Sequence, residues 1–409
     1  MAETAPGEIG LRDFAVREHR SLWGDAWRRL LSSTTGRIGL VIVAFFIVST
    51  VLAHFLWEYD PRIDLDYSLK LKPPNLRPNE EVESIHPFGT DKLGRDIFRR
   101  VVHGGWNSLR VGLIAVGISL TIGGLLGLVA GFYESMPLGP IGRMLLYGGI
   151  ALVFGGLSAW IAGQFFQVIL FVALSVAAVL LEDLWAGQPA RIALFAGAGL
   201  LIGGATALWV SPLTAAVCGL LGLAIGWMMG LQLRGPLVAN IIMRLMDITL
   251  AFPGILLAIA IVAMLGPGLD KGMIAIGFVG IPVYARLVRA TVLSVVQQEY
   301  VTAGLSVGVG QGRILFRHIV PNTLSPIIVQ ATMGLASAIL WAGALGFLGL
   351  GAIPPEPEWG AMLGDSYRFM TTGAWWAVTF PGLAIMISVL GFNLLGDGLR
   401  DALDPRLRL

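Results

Sequence analysis

The chain has 409 residues, of which 56% are hydrophobic and only 13% charged, against roughly 25% charged in soluble domains. With a mean hydropathy of +0.77 it reads as an all-α protein that crosses a lipid bilayer many times. A formal net charge of +2 gives no reason to expect a nucleic-acid partner, and the single cysteine, Cys218, excludes a disulfide framework and a cysteine metal site. There is no P-loop, no zincin helix and no His/Asp/Glu cluster with ligand spacing, so neither a bound cofactor nor a metal is expected, and ATP hydrolysis by a P-loop is excluded.

Residues 1–36 are polar and mixed in sign. They lack an apolar core followed by a small-residue cleavage site, so the tail is expected to be retained. Within it Leu22, Trp23, Ala26, Trp27, Leu30 and Leu31 recur at helical spacing, with Arg28 and Arg29 opposite. That pattern suits a helix lying in the membrane interface with its indoles at headgroup depth. A helix packed on a protein neighbour would show the same face. Residues 37–57 are the first span, charge-free from Ile38 to Trp57, and Arg28, Arg29 and Arg37 put its start in the cytoplasm.

Residues 58–106 form a long polar loop, expected outside. It contains Phe88-Gly89-Thr90-Asp91 and Gly94-Arg95-Asp96, followed by Ser108-Leu109-Arg110-Val111-Gly112-Leu113. Thr90-Asp91 predicts a helix cap, and Ile97, Phe98, Val101 and Val102 predict the apolar face of a short outer helix. Arg95, Arg99 and Arg100 lie where positive charge is disfavoured, and Asp91 and Asp96 offset them only in part. Leu109 to Phe132 is the second span, with Gly123, Gly127 and Gly131 as a ladder for close helix packing.

Residues 136–235 are again apolar. They hold four candidate spans, Met144–Ile161, Gln164–Leu181, Ile192–Val210 and Leu213–Leu231, none of which contains a charge. An even number keeps Arg143, Arg191 and Arg234 in the cytoplasm, and the missing charges argue for accessory helices rather than an ion path. Then come Ile248 to Gly266, with Pro253 early in it, and Gly272 to Ala290, expected to break at Pro282. Ile327 to Leu348 leads to an outer loop with Pro357-Glu358-Trp359-Gly360, where Trp375 and Trp376 mark the interface, and Val378 to Leu395 is the last span.

Between two of these apolar runs lies the polar stretch from Gln298 to Pro326. Gly304, Gly308 and Gly312 recur every four residues, so a helix here would carry one bare stripe, with a turn available near Gly308. Arg313, Arg317 and His318 follow, and Val320-Pro321-Asn322 is expected to stop the first helix.

This stretch resembles the cytoplasmic coupling loop, the Glu-Ala-Ala loop, of ABC importer permeases. Thr302-Ala303-Gly304 stand in the Glu-Ala-Ala place, Gly308 at the glycine and Val320-Pro321 at Leu-Pro, and Thr302 departs from the usual acid. The segments 88–96 and 108–113, Arg244 to Pro253, Val279 to Arg286 and 357–360 are similar to the dipeptide, oligopeptide and nickel branch of that family. The resemblance omits 136–235.

It implies a type I ABC importer permease core of six spans, with about four accessory spans besides. The permease domain would cover 107–397, interrupted by 136–235, and 398–409 would be a cytoplasmic tail. It further implies a bacterial or archaeal cell membrane with both termini cytoplasmic. The implied partners are a homologous second permease subunit, two P-loop ATPase subunits that hydrolyse the ATP, and an extracytoplasmic solute-binding protein. Thr302, Ala303, Gly304, Gly308 and Gly312 would form the ATPase-docking surface, with Arg313 and Arg317 as candidate salt-bridge donors and Pro321 closing the loop. The implied cargo is a dipeptide or oligopeptide, with nickel or another small solute as the alternative. A secondary transporter independent of any ATPase would need ionisable residues at mid-membrane. An intramembrane enzyme would need a nucleophile and base, and the spans offer neither convincingly.

Overall fold

The computed structural model describes residues 22–57, 59–60, 65–78, 84–136, 166–180, 188–208, 210–230 and 235–404, with short pieces between 144 and 164. The tail before residue 22 lies outside the described residues, as do seven of the eighteen residues of the candidate span 144–161. The helices are α1 (Leu22–Ser32), α2 (Thr34–Leu56), α3 (Ile97–Ile118), α4 (Gly124–Ser135), α5 (Phe166–Leu180), α6 (Gln188–Ala207), α7 (Pro212–Gly230) and α8 (Gly235–Ala251). After them come α9 (Gly254–Leu265), α10 (Leu269–Val296), α11 (Glu299–Ser306), α12 (Gln311–Ile314), α13 (Val320–Phe347), α14 (Trp359–Ser366) and α15 (Trp376–Leu403).

Five runs among the described residues are long and apolar enough to cross a membrane: Thr34–Leu56, Ile97–Ser135, Leu269–Val296, Gln311–Phe347 and Trp376–Leu403. The bent pair Pro236–Ala251 and Gly254–Leu265 makes a sixth if it counts as one span. The protein is therefore an all-α polytopic membrane protein, as its composition requires. It divides into two compact units, one of Met1–Leu125, Ile248–Val288 and Val320–Leu409, the other of Leu126–Asp247 and Arg289–Ile319.

In the first unit α2 meets α15 through glycines. A methyl carbon placed on Gly39 would lie 2.3 Å from Leu395 N, and one on Gly391 would lie 2.5 Å from Ile42 Cγ2. Between apolar helices in lipid, such backbone approach supplies the van der Waals contact that holds them together. α1 closes the same end. Leu30, only 2% exposed, fills the notch where Gly36 and Gly398 face each other. The face expected to lie in the membrane interface is thus partly a packing face, because two glycines leave room for one leucine. Trp27 and Leu31 remain exposed. Pro282 does not break α10, which runs through it. Ser119 Oγ donates to Gly277 O at 2.7 Å, whereas the carbonyl that Pro282 deprives of its helical N–H partner is that of Phe278.

The loop before α3 folds back on itself. Asn75 N donates to His86 O at 3.0 Å, and His86 Nδ1 lies 2.7 Å from Asp96 Oδ2. Asp96, not Thr90-Asp91, caps α3: its Oδ1 accepts from Arg99 N at 3.1 Å. Asp91 instead closes a turn by accepting from Leu93 N and Arg95 N. Gly94 takes φ +77° there, and a Cβ on it would sit 1.7 Å from Asp66 O. The expected separate outer helix is absent, since α3 continues straight from Asp96 into the span. Arg95 and Arg100 are each 3% exposed and face Asp91, at 2.7 Å from Arg95 Nε and 3.7 Å from Arg100 Nε. Two of the three arginines that seemed to oppose the outside placement are therefore buried beside a carboxylate rather than presented to the lipid headgroups.

The segments around Thr90, Val101, Pro357 and Trp376 are tied together by side chains. Trp376, expected at the membrane interface, is buried, and its Nε1 donates to Thr90 O at 3.2 Å, while Trp375 stays exposed. Trp359 Nε1 donates to Val101 O at 2.7 Å and Asn107 Nδ2 to Pro357 O at 2.8 Å. Glu358 caps α14 by accepting from Gly360 N and Ala361 N. Burial pushes its carboxyl up from the ordinary 4.5 to about 7, against the two backbone donors that lower it.

In the second unit Tyr147, Phe171, Phe195, Ile225 and Val238 form a buried core. α6 and α7 make a hairpin whose backbones touch: a Cβ on Gly203 would lie 2.0 Å from Cys218 O, and one on Gly226 would lie 1.8 Å from Phe195 O. Arg191, expected in the cytoplasm, is 3% exposed within this unit. Glu134 at the end of α4 takes both Arg289 Nε at 2.7 Å and Arg289 Nη2 at 2.9 Å.

Candidate functional site

The polar stretch after α10 folds as helix, turn, helix within the second unit. Its first helix, α11, ends in a left-handed glycine. Gly308 has φ +79°, Gly308 N donates to Leu305 O and Val309 N donates to Gly304 O, both at 3.0 Å. That pair of bonds is a Schellman motif, and glycine is favoured at its turn because an L side chain would cost about 1–2 kcal/mol in this conformation. Gly304 and Gly312 consequently lie on different helices, so the single bare stripe expected from their spacing does not form. The string Gly304-Leu305-Ser306-Val307-Gly308 has the nucleophile-elbow form Gly-x-Ser-x-Gly. Ser306, however, ends a helix and donates its Oγ to Thr302 O at 3.0 Å, whereas the elbow needs a strand-to-helix turn.

The second half does not stop at Val320-Pro321-Asn322. α12 passes through a π-helical turn at Leu315–Ile319 into α13, and Gln311–Phe347 is one helical run. A π turn widens the helix just before Pro321, where the proline ring would otherwise press on the preceding turn. A proline read as a helix stop is therefore carried inside a helix.

Three side chains anchor the stretch in its unit: Val301 and Ile314 at 1% exposed, and Ile319 at 0%. Almost everything else points out. Thr302, Ala303, Gly308, Gly312, Arg313, Arg317 and Pro321 are exposed and Gly304 is half-buried. A Cβ on Gly304, Gly308, Gly310 or Gly312 would meet nothing within 4 Å. Sequence reasoning passed over two residues here. Val307 at the turn is 79% exposed and Phe316 is 71% exposed. Apolar residues in the middle of a polar loop were the available signal. Among the described residues no group of three or more His, Cys, Asp or Glu could hold a metal ion.

Comparison with known proteins places this geometry. Residues 222–409, which contain the stretch, match the family described as binding-protein-dependent transport system inner membrane component. Residues 21–74 match the N-terminal transmembrane domain of oligopeptide transport permease C. The dipeptide transport system permease protein DppC of Alkalihalophilus pseudofirmus is 37% identical over 388 residues, 95% of this chain and 91% of the relative. The di/tripeptide transport system permease protein DppC of Pseudomonas aeruginosa is 36% identical over 93% of this chain and 91% of the relative. The glutathione transport system permease protein GsiD of Pectobacterium atrosepticum is 33% identical over 97% of this chain and 95% of the relative. On these matches, and with its apolar helices, the chain belongs to the ABC importer permease family, in the dipeptide and oligopeptide branch.

Proposed function

We propose that this chain is one of two permease subunits of an ATP-driven importer of dipeptides and oligopeptides. It would sit in the inner membrane of a bacterium or archaeon with both termini in the cytoplasm. Its partners would be a homologous permease, two P-loop ATPase subunits that hydrolyse the ATP, and an extracytoplasmic solute-binding protein. The chain itself performs no catalysis in this reading, and 107–397, with 136–235 set into it, forms the permease domain.

One observation carries the reading: the loop from Gln298 to Pro321 exposes a surface that the other described residues leave open. Val307 and Phe316 are its most exposed large apolar side chains, ahead of Tyr300 and Leu305, and the space over Gly304, Gly308 and Gly312 is open. An apolar tip on a polar stretch, reaching into the start of the run Gln311–Phe347, calls for a protein partner. Thr302, Ala303, Gly304 and Gly308 would seat in a groove of the ATPase, with Arg313 and Arg317 at its edge. Buried anchors at Val301, Ile314 and Ile319 make the loop stiff. The helix Gln311–Phe347 carries its displacement to the membrane, a rigid-body lever of the kind that turns a cavity from inward- to outward-facing. Pro321 lies inside that lever.

Gly304→Trp tests this without backbone strain, because Gly304 is within a helix and its Cβ direction is open. In proteoliposomes holding the complex purified from native membranes, the variant is expected to insert normally and to lose ATP-driven dipeptide uptake by at least tenfold. Uptake at the wild-type rate would reject the docking surface.

A further inference from the structure

A cavity of about 550 Å3 opens in the first unit where α8 gives way to α9, bordered by Ser119, Phe252, Pro253, Tyr284, Gln330 and Ser337 among others. Ser119, Tyr284 and Gln330 each lie near the middle of a long apolar run, Ile97–Ser135, Leu269–Val296 and Gln311–Phe347 respectively. The cavity is therefore at membrane depth. The backbone beside it is not helical: α8 ends at Ala251, α9 begins at Gly254, and Pro253 in the cap position supplies no side-chain hydrogen bond. The carbonyls of Leu250 and Ala251 and the first N–H groups of α9 thus stand outside the i to i+4 ladder.

Open backbone of this kind is tolerated at membrane depth only where protein buries it or water reaches it. Here Ala251, Phe252 and Pro253 are exposed, Phe252 by 60%, so this chain does not bury them. The cavity is also lined by polar side chains. The Gln330 carboxamide has no hydrogen-bond partner among the described residues, whereas the Gln330 carbonyl accepts from Tyr284 Oη at 3.3 Å. Among the described residues no charged side chain lines the cavity, and its lining includes the apolar Val116, Ile276, Val279 and Trp341. The Gln330 carboxamide can both donate to and accept from peptide backbone, the hydroxyls of Ser119, Tyr284 and Ser337 donate within this chain and offer a ligand their acceptor lone pairs, and the apolar residues match uncharged side chains. Nothing there matches the charged ends of a peptide. The volume falls within the ~300–1,000 Å3 typical of small-molecule sites.

We infer that this cavity is a water-filled station on the translocation path, where short peptides are held by their backbone amides and apolar side chains. The inference rests on the importer reading above and adds where the cargo touches this chain.

Two measurements test it. With Cys218 replaced by serine, the chain has no other cysteine, so Phe252→Cys and Ser337→Cys each give a single thiol. Both are expected to react with a charged, membrane-impermeant methanethiosulfonate in the purified complex, and a leucyl dipeptide present during ATP turnover is expected to slow that reaction at least threefold. Thiols that react only with a lipid-soluble maleimide, or with neither reagent, would overturn the inference. Ser337→Trp, which fills the cavity from an exposed position, is expected to keep its co-purifying subunits and its ATP hydrolysis. It should lose leucyl-leucine uptake at least tenfold and glycyl-glycine uptake less. Uptake of both within twofold of wild type would overturn it. A wild-type complex that carries no dipeptide at all rejects the importer reading itself and this inference with it. If Ser337→Trp fails to assemble, the thiol reactions decide.

Discussion

Asp91 carries a heavy load for one side chain. Its Oδ2 faces two guanidinium groups, and its Oδ1 accepts from two backbone N–H groups in the turn it closes. Arg95 and Arg100 are each 3% exposed, and Arg100 Nε and Nη1 make no hydrogen bond. Removing the carboxylate leaves two buried cations facing each other, and breaking a buried pair costs on the order of 3–5 kcal/mol. Asp91→Asn is expected to lower the melting temperature in detergent sharply. Asp270→Asn removes a carboxylate whose side chain is 77% exposed, 4.0 Å from Arg110, and is expected to change stability by less than about 1 kcal/mol. Equal effects of the two substitutions would contradict the buried cluster. The sequence showed the motif around Asp91 and its offset of the arginines. It did not show which aspartate caps α3, because Thr90-Asp91 and Asp96 are both sound caps by residue type. Gly94 decides between them by taking a left-handed turn.

At the scale of elements, α14 depends on one acid. Glu358 is its cap, 1% exposed, and its Oε2 lies where a Cβ on Gly346 would come within 2.0 Å. Its pKa rises from the ordinary 4.5 to about 7 on burial, so the folded state holds the proton more tightly than the unfolded chain. The stabilisation is complete below about pH 4.5 and is lost as pH rises to about 7, a change on the order of 3 kcal/mol. The melting temperature of the purified protein is expected to fall between pH 5 and pH 8, and Glu358→Gln is expected to flatten that slope. An unchanged slope in the variant would show that other groups set it. Elements were legible in the sequence where apolar length decided, as in the long runs, and less so where proline did. Pro253 does end a helix boundary, whereas Pro282 and Pro321 sit inside helices. At Pro321 the difference lies in the π turn that precedes it, a compensation that cannot be read from the local sequence.

For the whole molecule, the loop residues 298–319 and the residues lining the cavity fall in different compact units, and the helical run Gln311–Phe347 includes residues of both. The loop was legible in sequence by the register of Ala303, Gly308 and Pro321. Its apolar tip was not, because exposure is a tertiary property that composition cannot assign to Val307 or Phe316. The insertion 136–235 contributes apolar helices and, in α6 and α7, a hairpin held by glycine contacts. Contact of the loop tip with an ATPase is tested most directly by a photo-crosslinking amino acid placed at Val307 in the tagged chain. After irradiation of native membranes, purification and mass spectrometry, the expected product is this chain joined to a P-loop ATPase. Val307 joined only to lipid, or to no protein, would contradict that contact.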